Sequence, residues 1–150
     1  MPQSYCNLLY HMVFSTKHRE PLITEDIRDR IYAYLGGAIK GENGIPILIN
    51  GMEDHVHILA ALHQDCSVSA VLRNIKANSS KWLHRDVKGH DDFRWQSGYG
   101  AFTVSASQKD VVYQYIANQA EHHKEMTFQE EFIGLLKKHE IPYDERYIWD

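Results

Sequence analysis

The sequence predicts an α+β fold in which helices pack on a four-stranded antiparallel sheet. Three observations favour it: four short segments rich in β-branched and aromatic residues, amphipathic segments between them, and one tight strand-to-strand connection. In chain order the predicted elements are strand, helix, strand, strand, helix and strand, which is the ferredoxin-like or split βαβ order. Two more helices follow, so we expect a C-terminal helical extension of this arrangement.

The first half of the chain supplies three of the predicted strands. Residues 5–15 are typical of a buried strand, and residues 45–51 and 55–62 are expected to form a hairpin. A helix lies between the first two strands, with Thr24 as its cap and its end at Gly41. Its apolar residues recur at helical spacing: Ile27, Ile31, Leu35 and Ala38.

The second half begins with a helix that Ser67 is expected to cap. The apolar side of this helix comprises Val68, Val71, Leu72, Ile75, Trp82 and Leu83. A polar loop over residues 89–100 then leads into the fourth strand, at residues 101–107.

Two helices and a tail are predicted after the fourth strand. Ser107 is expected to cap a third helix over residues 108–124, and a short helix follows over residues 127–139. The last nine residues are polar and aromatic, and we expect them to pack as an extended tail.

Length and composition indicate one globular domain over residues 1–150. The chain has 150 residues, of which 43% are hydrophobic and 24% charged, without repeats or low-complexity segments. It has no signal-like leader and no apolar stretch of the roughly 18 to 20 residues that cross a bilayer. Two isolated cysteines, Cys6 and Cys66, fit a reducing compartment, so a cytoplasmic location without membrane attachment is expected.

Charge is unevenly distributed along the chain. The net charge is −4, which argues against sequence-blind binding to long nucleic acids, yet residues 73–88 carry five cations and one anion. A solvated helix face explains such a segment as well as a polyanion site does. If the polyanion is a nucleic acid, the candidate contacts to its backbone are Arg73, Lys76, Lys81, Arg85, Lys17 and Arg19. Trp82, Trp95 and Tyr99 are then candidates either for base stacking or for the core.

A His-x-His pair lies on the third predicted strand. Since side chains alternate between the faces of a strand, His55 and His57 share one face, with Cα atoms about 6.5 to 7 Å apart. The other face is wholly apolar: Val56, Ile58, Ala60 and Leu62. Two parallel imidazoles can converge on one borderline cation such as Mn²⁺ or Zn²⁺. The pair also fits a solvated strand without a ligand, and a metal site needs a further ligand from elsewhere.

Tyr115 and Gln119 lie one turn apart on one face of the third predicted helix. A glutamine carbonyl binds a cation without neutralising it, and a tyrosine beside a polarised phosphate can act as a nucleophile whose ester conserves the energy of the phosphodiester. A tyrosine on an amphipathic helix also fits a purely structural role in the core. His122 and His123 are alternative metal ligands or bases at the end of this helix.

Over essentially its whole length the chain resembles the single-tyrosine HUH transposases, the TnpA-like enzymes of small bacterial insertion sequences that move as single-stranded DNA. HVH at 55–57 follows an acidic Glu53–Asp54 pair. The other matching segments are HMVFSTKHREPLI near the start, KANSSKWL at 76–83, FRWQSGYGAFTVS at 93–105, YIANQAEHH at 115–123 and FQEEFIGLLKKHEIPYDERY near the end.

The resemblance implies a role for each residue singled out above. His55, His57 and Gln119 would be metal ligands, with Mg²⁺ or Mn²⁺ as the ion. Tyr115 would be the catalytic nucleophile that links to a 5′ phosphate and releases a 3′ hydroxyl. The resemblance also implies recognition of imperfect DNA hairpins at element ends, and a homodimer whose sites combine the histidines of one subunit with the tyrosine helix of the other.

The sequence departs from the family pattern at one position, and two alternative functions remain open. The position two before the first histidine is often proline in this family and is Glu53 here, which could alter the metal preference. A hairpin-binding DNA protein without cleavage activity would use the same surface. A small metal-dependent nucleotide hydrolase would use the same histidines with water as nucleophile.

Overall fold

The computed structural model describes residues 3–149 and contains four strands and five α-helices in that range. The strands are β1 (Leu9–Ser15), β2 (Ile45–Met52), β3 (His55–Ala61) and β4 (Gly100–Val104). The helices are α1 (Glu25–Gly41), α2 (Val68–Asp86), α3 (Lys109–Ala117), α4 (Gln119–His122) and α5 (Phe128–Lys138).

The sheet has the order β2-β3-β1-β4, and every neighbouring pair of strands is antiparallel. This topology confirms the predicted ferredoxin-like α+β fold. β1 and β3 occupy the centre, and their register sets Val13 opposite His57 and Ser15 opposite His55. The histidine pair therefore lies in the middle of the sheet rather than at an edge.

The two faces of the sheet are covered by different helices. α1 and α2 pack on one face, over a core that includes Phe14, Val56 and Ile58. The predicted cap of α2 is confirmed, because the Ser67 hydroxyl accepts a hydrogen bond from the Ala70 N–H at 3.1 Å. The opposite face is covered by α3, α4 and α5, whose buried residues pack on the outward side chains of β1 and β3.

The predicted third helix is wrong as one continuous element, because the chain breaks it at Asn118. The side-chain amide of Asn50 on β2 donates to the carbonyl oxygens of Ile116 at 2.9 Å and Ala117 at 3.4 Å. These carbonyls would otherwise accept bonds from the next turn of helix, so the contact ends α3 against the sheet.

Several predicted boundaries also differ from the structure. β1 begins at Leu9 rather than at residue 5, and β4 ends at Val104. Ser107 lies inside a short 3-10 turn and does not cap α3, because this turn already begins after Ser105. Thr24 precedes α1 but makes no capping bond, since its hydroxyl donates to the Asp26 carboxylate. The tail is turned rather than extended, and residue 150 lies outside the described residues.

No helix within residues 3–149 has both the length and the apolar character that a membrane crossing requires.

Replacing Gly51 with Ala should destabilise the fold through the β2–β3 hairpin. An added Cβ would lie 2.9 Å from the Val56 Cα and closer still to the His55 carbonyl oxygen. Because the backbone of β3 would have to shift, we expect urea denaturation to give a free energy of unfolding lower by about 2 kcal/mol or more.

The matched control is Gly37→Ala in α1, where an added Cβ meets nothing within 4 Å. Higher helix propensity should leave this variant unchanged or more stable by up to about 1 kcal/mol. Equal stability of the two variants would contradict the hairpin constraint.

Candidate active site

β3 directs both histidines of the His-x-His pair toward the layer formed by α3, α4 and α5. His55 and His57 are 0% exposed, whereas Val56 and Ile58 face the core under α1 and α2. The predicted alternation of faces is therefore confirmed. The histidine face is covered rather than solvated, which removes the interpretation of the pair as a surface feature.

A buried glutamate on α5 lies at the centre of these imidazoles. Glu131 is 3% exposed. Its Oε1 atom lies 3.0 Å from Nε2 of His57, 3.3 Å from Nε2 of His55 and 3.0 Å from Nε2 of His123. One carboxylate oxygen thus contacts imidazoles from β3 and from the turn after α4.

The second carboxylate oxygen of Glu131 contacts both Tyr115 and Gln119, the two residues singled out on the third predicted helix. Its Oε2 atom accepts a hydrogen bond from the Gln119 side-chain amide at 2.9 Å and another from the Tyr115 hydroxyl. The carbonyl oxygen of Gln119 lies 3.0 Å from Nε2 of His55. The structure therefore brings together all four residues that the sequence singled out, within a single chain.

Tyr115 is half-buried between the sheet and α5. Its ring centre lies 5.9 Å from that of His57, and its neighbour Ile116 is fully buried against the sheet, which anchors α3. Burial and the adjacent Glu131 carboxylate raise the pKa of the Tyr115 phenol above its ordinary value. The hydroxyl is therefore protonated at neutral pH and needs a proton acceptor before or during any attack.

The Nδ1 atoms of His55 and His57, whose Nε2 atoms face Glu131, also have hydrogen-bond partners. Nδ1 of His55 lies 2.7 Å from Oδ1 of Asp54, and Nδ1 of His57 lies 2.8 Å from Nε2 of His11 on β1. His11 is 3% exposed, and burial together with His57 lowers its pKa to about 3, so it is neutral. Such partners fix the orientation of a histidine and the position of its proton.

The histidines differ in charge. Burial opposes protonation of His55, but hydrogen bonds to Asp54 and Glu131 outweigh it and raise the pKa of His55 to about 9. Burial lowers the pKa of His57. The Glu131 carboxyl is also buried, yet its hydrogen bonds with His123, His55 and His57 hold its pKa far below the usual range. Without metal the cluster thus pairs a carboxylate with the His55 imidazolium.

The donor set fits a divalent metal ion. The ligand atoms of His55, His57 and Glu131 all lie within 4.8 Å of one another. Ligand bonds of roughly 2.1 Å put neighbouring donors about 3 Å apart, and the spacings between Glu131 Oε1 and the two imidazoles of β3 are 3.0 and 3.3 Å. Imidazole nitrogen combined with carboxylate and carboxamide oxygen suits ions such as Mn²⁺.

Comparison with known families identifies the family to which the chain belongs. Residues 4–119 match the family model described as Transposase IS200 like. The chain belongs to the IS200-like transposase family. This membership confirms the resemblance noted in the sequence, and it associates the chain with DNA transposition.

Solved structures share the fold of this transposase family member. A protein of Deinococcus radiodurans R1 described as a candidate transposase is 21% identical, with a TM-score of 0.59, over 79% of this chain and 96% of its own. A REP-associated tyrosine transposase bound to a REP hairpin is 13% identical, with a TM-score of 0.61, over 82% of this chain and 73% of its own. A comparison with curated proteins finds no match.

The candidate DNA contacts occupy different environments. Lys76 is 9% exposed, and its ammonium donates to the carbonyl oxygens of Gly98 at 2.8 Å and Ser97 at 3.4 Å, so it ties α2 to the following loop. Arg85 pairs with Asp86, and Arg19 lies over the ring of Trp149. Four of the six candidates are exposed: Lys17, Arg73, Lys81 and Arg85.

Of the aromatic candidates for base stacking, two pack against other residues. Trp95 is buried and donates to the Ser79 hydroxyl at 2.9 Å, and Trp82 stacks on Tyr34. Tyr99 is 40% exposed.

Sequence reasoning missed Glu131 and His11 and ranked His123 too low. A signal for Glu131 was present, because it interrupts the apolar stripe that Phe128, Phe132 and Leu135 form at helical spacing. A carboxylate on a buried stripe requires partners. The sequence could not identify these partners, because they lie on a different secondary-structure element.

Replacing Glu131 with Gln should flatten the dependence of stability on pH in the metal-free protein. The lowered pKa of Glu131 gives stabilisation that is present above its unfolded value of 4.5 and lost as the pH falls below it. The raised pKa of His55 gives stabilisation that is full below 6.5 and lost as the pH rises through about 9. In urea denaturation with EDTA present, the wild type should therefore be most stable between pH 4.5 and pH 6.5, where both contributions are present.

The control is Glu125→Gln, which neutralises an exposed carboxylate near the same end of the molecule. Its pH profile should follow that of the wild type. If Glu131→Gln also followed the wild-type profile, the carboxylate would not carry the charge that the structure assigns to it.

Proposed function

We propose that this family member cuts and rejoins single-stranded DNA, with Tyr115 as the nucleophile and a divalent metal ion at the histidine pair. The observation that carries the proposal is the contact of the Tyr115 hydroxyl with Glu131, the carboxylate that also contacts His55 and His57. A nucleophile beside a metal-type donor set is the arrangement that phosphoryl transfer needs.

His55, His57, Gln119 and Glu131 would hold the ion, for which Mg²⁺ or Mn²⁺ is expected from the family. When bound, such an ion supplies Lewis-acid stabilisation of the charge on the phosphate oxygens. Asp54 and His11 orient the two imidazoles from behind, so the ligand atoms stay directed at one point. The buried surroundings exclude water, which strengthens these electrostatic interactions.

In the cleavage step, the Tyr115 oxygen attacks the scissile phosphorus while the bond from phosphorus to the 3′ oxygen breaks. The hydroxyl proton passes to Oε2 of Glu131, which already accepts its hydrogen bond. Because Glu131 is a weak base, this transfer accompanies formation of the new O–P bond. Glu131 passes this proton on to the 3′ oxygen, which leaves as a hydroxyl, and the 5′ phosphate stays on Tyr115.

Rejoining reverses the same chemistry with another 3′ hydroxyl as the attacking group. The phosphotyrosine ester is comparable in energy to the phosphodiester, so no external energy source is required. Glu131 takes the proton of the attacking 3′ hydroxyl and passes it to Tyr115 as the ester breaks, which regenerates the starting state.

DNA hairpins are the substrates we propose. The similar REP-associated tyrosine transposase is described as bound to a REP hairpin, and α2 of the present chain carries the exposed cations Arg73 and Lys81. Phosphate contacts by these side chains would make affinity fall as salt concentration rises.

The contacts within one chain support a site that a single subunit completes. The family resemblance implies a homodimer with shared sites, but here α3 brings Tyr115 to Glu131 of the same chain. We therefore propose that Tyr115 acts on the metal site of its own subunit, whether or not two copies associate.

Replacing Tyr115 with Phe should abolish covalent attachment to DNA and leave binding intact, because only the attacking oxygen is lost. The measurement uses a pool of labelled single-stranded hairpin oligonucleotides with Mn²⁺, and protein-linked label is detected on a denaturing gel. Tyr113→Phe is the matched control, since Tyr113 is an exposed tyrosine on the same helix. This control should form adduct at the wild-type rate.

Four other outcomes are informative. Adduct formed by Tyr115→Phe would refute the assignment of the nucleophile. Binding without cleavage by the wild type would favour a hairpin-binding protein, and cleavage without adduct would favour a hydrolase. Restoration of adduct on mixing Tyr115→Phe with His57→Ala would indicate a site shared between subunits.

Replacing His11 with Leu should weaken metal binding by roughly 10- to 100-fold, because His57 loses the group that orients it. Calorimetric titration with Mn²⁺ measures this effect directly. His139→Leu is the control, since His139 is an exposed histidine outside the cluster. If His11→Leu bound Mn²⁺ as the wild type does, the His11–His57 contact would have no part in the site.

A further inference from the structure

A cavity of about 570 Å³ opens beside the Tyr115 hydroxyl. It lies between α3, α5 and the end of β4, and Tyr115 and Glu131 form its inner end. Aliphatic side chains, including Val111, Val112 and Leu135, make up much of its wall. A space of this size is typical of sites that bind small organic groups.

Polar groups follow β4 and the turn after it along one side of the cavity. Thr103, Ser105 and Gln108 line that side and all three are exposed, and the exposed Lys138 and Glu130 of α5 also line the cavity. The cavity thus has apolar walls, hydrogen-bonding groups from β4 and the turn after it, and a cation and an anion from α5.

We propose that this cavity binds the unpaired base of a nucleotide next to the scissile phosphate. The inference rests on the proposed function, which puts that phosphate at the Tyr115 hydroxyl. A nucleoside bonded to the phosphate must then lie within a few ångströms of Tyr115. The buried His57 and Gln119 next to Tyr115 do not line the cavity and leave no space for a base, whereas the cavity is open.

The chemistry of the lining matches a nucleobase. The flat faces of a base are apolar and pack on side chains such as Val112 and Leu135, while its edge carries hydrogen-bond donors and acceptors. Thr103, Ser105 and Gln108 can bond that edge, and Lys138 can contact the neighbouring phosphate. The protein itself would therefore select one nucleotide at the cleavage site, in addition to any hairpin that it recognises.

Gly134 keeps the cavity open. It lies inside α5, where glycine is less favourable than alanine by roughly 1 kcal/mol, and an added Cβ would meet nothing within 4 Å. Gly134 lines the cavity, so a large side chain at this position would occupy the space that a base needs. The absence of nearby atoms lets such a side chain enter without displacing the core.

The test replaces Gly134 with Phe and measures the rate of adduct formation with a cleavable hairpin oligonucleotide. Because base packing contributes about 1–3 kcal/mol, we expect a rate lower by roughly 10-fold or more, with the hairpin affinity and the Mn²⁺ affinity unchanged. The distant Gly37→Phe is the control. It adds the same side chain where a Cβ meets nothing within 4 Å, and it should cleave as the wild type does.

Abasic substrates make the test specific. Removing one base beside the cleaved phosphate should slow the wild type by a similar factor and should slow Gly134→Phe no further. If removal of the base at each of the two flanking positions lowered the rate of Gly134→Phe by the same factor as it lowers the wild-type rate, the base-binding role would be refuted. Cleavage by Gly134→Phe at the wild-type rate would refute it as well.

A binding measurement separates this inference from the proposed function. Titration of ¹⁵N-labelled protein with each of the four deoxynucleoside 5′-monophosphates should shift the amide resonances of Val112 and Gly134, and Gly134→Phe should abolish the shifts. If no hairpin forms an adduct but these shifts occur, the cavity binds nucleotides and the cleavage proposal fails. Absence of the shifts would refute the cavity as a base site.

Discussion

The arrangement of the site depends on one buried carboxylate. An unpaired charge in the interior is very costly, so Glu131 requires polar partners wherever α5 packs. Its partners come from β3, from α3 and α4, and from the turn that follows α4. The same hydrogen bonds that satisfy this charge therefore fix the helical layer against the sheet, and they fix the proposed nucleophile, Tyr115, against the candidate metal ligands.

The two faces of the sheet differ in role, because one carries the large apolar core and the other carries the candidate active site. Under α1 and α2 the core consists of hydrocarbon and aromatic side chains and supplies the large apolar burial that stabilises the domain. On the opposite face, the buried polar groups of the site lie between two smaller apolar clusters that hold the helical layer in place. β1 and β3 contribute side chains to both faces, so a rigid core supports the positions of His11, His55 and His57.

Much of this organisation follows from the sequence, and the failures have physical reasons. Period-two alternation was sufficient to put His55 and His57 on one face. Helical spacing predicted that Tyr115 and Gln119 lie together, and both contact Glu131 although they belong to α3 and α4 rather than to one helix. The break at Asn118 depends on a hydrogen bond from Asn50 on β2, which local pattern does not reveal. Lys76 resembled a surface cation, but a loop later in the chain covers it.

The central claim is that the cluster around Glu131 is a divalent metal site beside the tyrosine hydroxyl. The most direct measurement is a crystal structure of the protein soaked in Mn²⁺, with diffraction data collected at the manganese absorption edge. We expect one anomalous peak in contact with the side chains of His55, His57, Gln119 and Glu131. A cluster that keeps its hydrogen bonds without such a peak, or a peak only elsewhere on the molecule, would contradict the claim.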